Sequence, residues 1–245
     1  MTIVGHRAWE FDRPLVLVGF PSQGLVGAIV ASYLVPKLDM ELVATLEAPY
    51  LPPIASVHKG KALSPIQFFA SAKVCGIDGT CSQLVVVRSD AVPLPQHADA
   101  LARELLEWAK LVKASLVVSL EGVSSASATD AVYAVTNLFA ELDAKRLGAE
   151  AFNQGTLAGV SAALLVQGNV LEVPVACLFT GVEEDMPDSA AAARLVGVAD
   201  VLVPGIKMDA KPLEEEARAH ETAIRALIEE QRRSMASDEQ PMMYG

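Results

Sequence analysis

Residues Pro14–Leu38, PLVLVGFPSQGLVGAIVASYLVPKL, decide the fold. Leu15 to Val18 is a short apolar, β-rich run, the mark of an inner strand covered on both faces. Gly19, Pro21 and Gly24 punctuate it. Helical spacing follows: Leu25, Ile29, Leu34 and Leu38 recur at intervals of three to five, with small Gly27, Ala28 and Ala31 between them. Small residues at a helix start let the helix lie close against the preceding strand. A strand and helix this apolar belong at the centre of an α/β domain.

Working outward, further strand signals fall at Glu41–Leu46, Leu84–Arg88, Ser115–Leu120, Val132–Thr136 and Val173–Phe179. Ala55–His58, Gly60 and Ile66–Val74 predict a strand, a turn and a strand, read as a hairpin. Gln96–Val112 is an amphipathic helix with Leu101, Leu105, Trp108 and Val112 on one face and Arg103, Glu107 and Lys110 away from it. Gly122–Ala128 reads as a loop of small residues, and Glu141–Arg146 as a short helix stopped by Gly148. Gly155–Val166 repeats the opening device of glycine, small residues and apolar helix. Ser189 is the expected N-cap of a helix over Ser189–Val196, after an acidic loop at Glu183–Asp188. Alternating strands and helices predict a three-layer α/β/α sandwich with a mostly parallel central sheet. Residues 1–208 are expected to form that domain. Pro212–Arg233 is an amphipathic helix (domain segment 209–233), with Leu213, Ala217, His220, Ile224, Leu227 and Ile228 in one stripe. Residues 234–245 are expected to be a flexible tail.

The chain has 245 residues, 52% of them hydrophobic, and a net charge of −11; its mean hydropathy is +0.35. That composition fills a core and leaves apolar surface for a subunit interface. An acidic chain without a basic block is a poor binder of nucleic acid or anionic membrane. The longest apolar region, Val160–Val182, is broken by Gln167, Asn169, Glu172 and Pro174 and cannot span a bilayer. The N-terminus lacks the pattern of a secretory leader. Cys75, Cys81 and Cys177 show no C-x-x-C spacing; they predict neither a disulfide framework nor a zinc site, and suit a reducing, cytoplasmic setting.

Four stretches carry candidate chemistry. Gly19 and Gly24 have the glycine spacing of a phosphate-binding loop, but Leu25 stands where its lysine is required. Ser22, in Phe20-Pro21-Ser22-Gln23-Gly24, sits as a nucleophile would at a strand–turn–helix corner, but Phe20 occupies a position that must be small, and no histidine stands in a telling context. Glu121 follows a strand, where α/β sites lie, while Glu183, Glu184, Asp185 and Asp188 read as a solvated rim without histidine at ligand spacing. No metal or other cofactor is therefore expected. The fourth stretch is the C-terminal Met243-Tyr244-Gly245: an adaptable apolar plug, an aromatic ring with a polar handle and a free carboxylate, together a docking tip on a tether.

Pro14–Leu38, the Pro49–Pro53 loop with Val57–Gly60, Leu84–Pro95 and Gly155–Leu165 together resemble the proteasome assembly chaperone 2 family in its archaeal or bacterial form, over roughly residues 14–205. Gly19, Pro21, Gly24, Val26 and Gly27 match its glycine-rich segment, and Gly155 and Gly159 form a second anchor. The resemblance implies a phosphorylase/hydrolase-like α/β/α domain that forms homo-oligomers. It also implies a C-terminal hydrophobic–tyrosine–any-residue motif, here Met243, Tyr244 and Gly245, docking between α subunits of the proteasome core particle. The reading is a non-enzymatic chaperone. The alternative is a small-molecule binder or hydrolase/phosphorylase-like enzyme that uses Gly19, Ser22, Gly24 and Glu121.

Overall fold

A computed structural model gives the fold and describes residues 2–58, 60–72, 75, 81–124, 130–182, 187–203 and 226. Apart from Ala226, the expected C-terminal helix lies outside the described residues, as do the tail, the docking tip and most of the acidic loop at Glu183–Asp188.

The opening stretch behaves as its sequence predicts. Strand β2 (Leu15–Gly19) is buried along its whole length. Leu15 and Leu17 enter one hydrophobic core and Val16 and Val18 the other, so the strand lies between two layers. Helix α1 (Val26–Lys37) follows, and every residue from Val26 to Val35 is buried.

The remaining elements, in chain order, are β1 (Thr2–Gly5), β3 (Glu41–Glu47), β4 (Ser56–His58), β5 (Lys61–Leu63), β6 (Ile66–Ser71), β7 (Leu84–Ser89), α2 (Ala98–Leu111), β8 (Leu116–Ser124), β9 (Val132–Thr136), β10 (Glu150–Ala151), α3 (Gly159–Leu171), β11 (Val175–Val182) and α4 (Ser189–Leu202). Nine strands form one sheet in the order β1-β3-β6-β7-β2-β8-β11-β9-β10. Its centre, β7-β2-β8-β11, is parallel. On one flank β1, β3, β6 and β7 pair antiparallel, and on the other β11 and β9 do. Helices α1 and α4 pack together on one face, and α2 and α3 pack together elsewhere in the helical layers, α2 facing the core that holds Val16 and Val18. The α/β/α sandwich is therefore as expected, with its parallel pairing concentrated in the middle.

Several local expectations need correction. The hairpin is β4 with β5, while Ile66–Ser71 is a separate strand of the main sheet. Ser64 and Pro65 divide them: the Ser64 hydroxyl donates to the Leu46 carbonyl (2.5 Å), and proline has no N–H to continue the ladder. Gly122 to Ser124 continue β8 instead of opening a loop, because they stay in register with Thr180 to Val182 of β11. Glu141–Arg146 is not helical. The Asp143 carboxylate accepts from the backbone N–H of Lys145 (3.1 Å) and Arg146 (3.4 Å), a local turn that competes with helix.

The cap of α4 is Asp188 rather than Ser189; its carboxylate accepts from the Ala191 N–H at 2.8 Å. Cys75 and Cys81, six residues apart, form a disulfide. The backbones of Cys75 and Cys81 exchange two hydrogen bonds, which brings their Cα atoms to 4.9 Å. Spacing alone did not reveal this, because it does not show which residues a hairpin sets opposite each other. The edge strand β1 had no signal in the sequence; it pairs its backbone with β3 while its side chains stay largely exposed.

Candidate functional site

The chain leaves β2 toward β3 on one side of the sheet and leaves β8 toward β9 on the other. A crevice opens where neighbouring parallel strands send their chain in opposite directions. Here it is a cavity of about 420 Å³ at the carboxyl ends of β2 and β8, closed by the segment Thr156–Ser161 at the start of α3.

The corner Phe20–Leu25 forms one wall. Gly24 has φ +62° and Leu25 φ +52°, two successive left-handed residues that turn the strand sharply into the helix. The Leu25 N–H donates to the Ser22 carbonyl at 3.0 Å, and the Asp188 N–H donates to the Gly24 carbonyl at 2.9 Å. The Gln23 side-chain oxygen accepts from the Ser124 N–H. The corner is thus tied both to the end of β8 and to the start of α4. Beneath it, a Cβ on Gly19 would overlap the Gly27 carbonyl, and one on Gly27 would overlap the Leu120 carbonyl. These glycines let α1 lie directly on β2 and β8.

The cavity floor is polar. Ser119 and Ser161, both buried, share a 2.6 Å hydrogen bond between their hydroxyls. Burial pushes the Glu121 carboxyl above the usual carboxylate range, while the hydroxyls of Ser161 and Ser22 pull the other way. The Ser22 Oγ is itself buried and makes no hydrogen bond of ordinary geometry. Cys177, fully buried on the neighbouring strand, has its thiol pushed up by burial first and by Glu121 second. Glu121 is the one ionisable side chain among the described residues lining the cavity, and the rest of the wall is mainly apolar.

Of the expected site residues, Ser22 and Glu121 meet in this cavity. Gly19 and Gly24 shape it from behind. Met243, Tyr244 and Gly245 lie outside the described residues. Ser119, Ser161 and Cys177 had no signal of their own in the sequence; each is a small side chain in an apolar run, and only the sheet register and the placement of α3 bring them to Glu121.

This arrangement does not assemble a nucleophilic triad or a phosphate cradle. No histidine, lysine or arginine stands among the described residues that line it. Among the described residues, no group of three or more histidines, cysteines or acids is placed to hold a metal ion. No helix among them is long and apolar enough to cross a membrane.

Fold and crevice together define an α/β/α protein with a mixed, doubly covered sheet and a cleft at the ends of its parallel strands. The chain belongs to the PAC2 family, whose model matches residues 16–228. An uncharacterised protein of Methanocaldococcus jannaschii is 23% identical over 244 residues, covering 99% of this chain and 98% of its own. Among solved structures, Pyrococcus furiosus PbaA, an archaeal homolog of proteasome-assembly chaperone, aligns with TM-score 0.75 and 24% identity over 94% of this chain and 99% of its own. PbaB of the same organism, an archaeal proteasome activator, aligns with TM-score 0.71 and 19% identity over 92% of this chain and 98% of its own.

Proposed function

We propose that this protein is a non-enzymatic, proteasome-assembly-chaperone-like homo-oligomer of the cytoplasm that binds the α-ring of the proteasome core particle. The observation that carries the proposal is family membership across residues 16–228. The full-length likeness to PbaA and PbaB adds to it. In this reading residues 1–208 form the oligomer-building body, 209–233 a linking helix and 234–245 the docking tail. Met243 fills an apolar cleft between α subunits, Tyr244 adds aromatic area with one polar handle, and the carboxylate of Gly245 meets a cation or backbone donors.

One such tip binds weakly. Several on one oligomer raise the effective affinity by about 10²–10⁴ when their spacing matches that of the ring. The experiment is a pull-down of core particle with the full chain and with a chain ending at Met242, each first sized by light scattering. The full chain is expected to be oligomeric and to retain core particle, and the shortened one to stay oligomeric and lose it. Equal retention by both sinks the docking role of the tail.

A further inference from the structure

We propose that the crevice at the carboxyl ends of β2 and β8 is a binding site for a small organic amine, taken as its ammonium ion with Glu121 as counter-charge. The proposal is independent of the tail and of any proteasome partner.

The walls set the shape of the ligand. A cavity of about 420 Å³ lined by Val18, Phe20, Val92, Pro93 and Val160 accepts a compact apolar body. The floor sets its head group. Glu121 stands there without a cationic side chain among the described lining residues, and burial alone disfavours its charge. A carboxyl in that position either keeps its proton or meets a positive charge brought from outside. An anionic ligand finds no cationic side chain among the described lining residues to pair with.

Two further features support the charged form once an ammonium arrives. The Ser22 Oγ lies buried beside Glu121 and accepts no hydrogen bond, so it has acceptor capacity for a second N–H of the ligand. The first turn of α3 borders the cavity, and its N-cap, Ala158, offers no side-chain hydrogen bond; this positive end of a helix favours an ionised Glu121 beside it. Ser161, in the same turn, is bonded to Ser119, and its hydroxyl also favours the charged carboxyl.

The binding equilibrium carries a proton signature. At a pH where free Glu121 is protonated, each ammonium bound displaces one proton to solvent, so affinity rises as pH rises and levels off once Glu121 is ionised in the free protein. A carboxylic acid held through a shared proton gives the opposite slope.

The experiment is titration calorimetry on the full-length chain with phenethylammonium, butylammonium and cyclohexylammonium chlorides. Phenethyl alcohol and hydrocinnamate serve as neutral and anionic controls. Each titration is run in two buffers of different ionisation heat, at about pH 5 and about pH 8, on either side of the ordinary histidine range. At least one amine is expected to bind, to release more proton at the lower pH than at the higher, and to outbind its alcohol and acid counterparts by about tenfold or more. Glu121→Gln is expected to lower amine affinity by about tenfold or more, and Ser22→Ala by about threefold. If Glu121→Gln does not fold, the proton count on the unaltered chain decides. The proposal is overturned if none of the three amines binds, if amine binding is unchanged by pH and by Glu121→Gln, or if hydrocinnamate binds better and tightens as pH falls.

Discussion

Two uses of glycine stand apart in the segments that look alike in the sequence, Gly19–Lys37 and Gly155–Leu171, although Gly24 of the first is also left-handed and Gly168 of the second is also a spacer. In the first, Gly19 and Gly27 are spacers: a Cβ on either would overlap backbone oxygen, and the helix they admit, α1, is buried from Val26 to Val35. In the second, Gly159 has φ +77° and open space where a Cβ would stand. It serves as a conformational joint that swings the chain from Ala158 into α3. That helix is only half covered; Val166 and Val170 are 60% and 63% exposed. One string of glycine, small and apolar residues thus describes a core helix in one place and a surface helix over a cavity in the other.

The contrast can be broken by substitution at the two joints. Gly27→Ala forces a methyl into the Leu120 carbonyl, where neither backbone can retreat, and is expected to cost about 3 kcal/mol or more. Gly159→Ala meets nothing and bears only the strain of a left-handed backbone, about 1–2 kcal/mol. Gly159→Asn should regain part of that loss, because asparagine tolerates the conformation, whereas Gly27→Asn should be worse than Gly27→Ala. Urea unfolding midpoints decide it; equal costs for the two alanines would mean that the spacer and joint roles are not distinct.

A milder pair probes the helices themselves. Ile29→Val, in the buried part of α1, is expected to cost about 0.5–1.5 kcal/mol. Val166→Thr, on the open side of α3, should stay within about 0.5 kcal/mol. If Val166→Thr proves as costly as Ile29→Val, that face of α3 is covered in solution. The exposed Leu138 lies beside it, its N–H donating to the Asn169 side chain at 2.9 Å, so the outer surface of α3 continues into an apolar loop.

These differences explain what the sequence could and could not show. The inner strands β2, β7, β8 and β11 were legible because a strand covered on both faces must be apolar at every position. The helix α2 was legible because half-burial writes a period of 3.6 into the residues. The edge strand β1 was not, since its hydrogen bonds come from the backbone and its side chains face water. Asp143 and Asp188 misled the reading of nearby helices because a carboxylate can satisfy turn or cap donors one residue away from the expected place. At the site, Ser22 and Glu121 could be picked out from their positions after strands. The pairing of Ser119 with Ser161 depends on contact between residues 42 apart, which no local pattern encodes.

The smallest effect tests where the two segments meet, at Glu121 between the Ser22 corner and Ser161 of α3. Its carboxyl is raised in the folded protein, so the folded state keeps a proton that the unfolded chain gives up. The stability this contributes is complete below the ordinary glutamate range and is lost as pH rises through the raised folded value. Glu121→Gln removes the titrating group, and the difference between the two stability curves isolates it. The unaltered chain should lose ground to the variant as pH climbs through that window, and the gap should stop growing above it. Replacing Ser161 by alanine takes away a hydroxyl that favours the charged form, so the window should extend to higher pH. Parallel urea midpoints for the unaltered chain and Glu121→Gln across the whole range would mean that Glu121 is solvated and freely ionised. The corner and α3 would then not close around it.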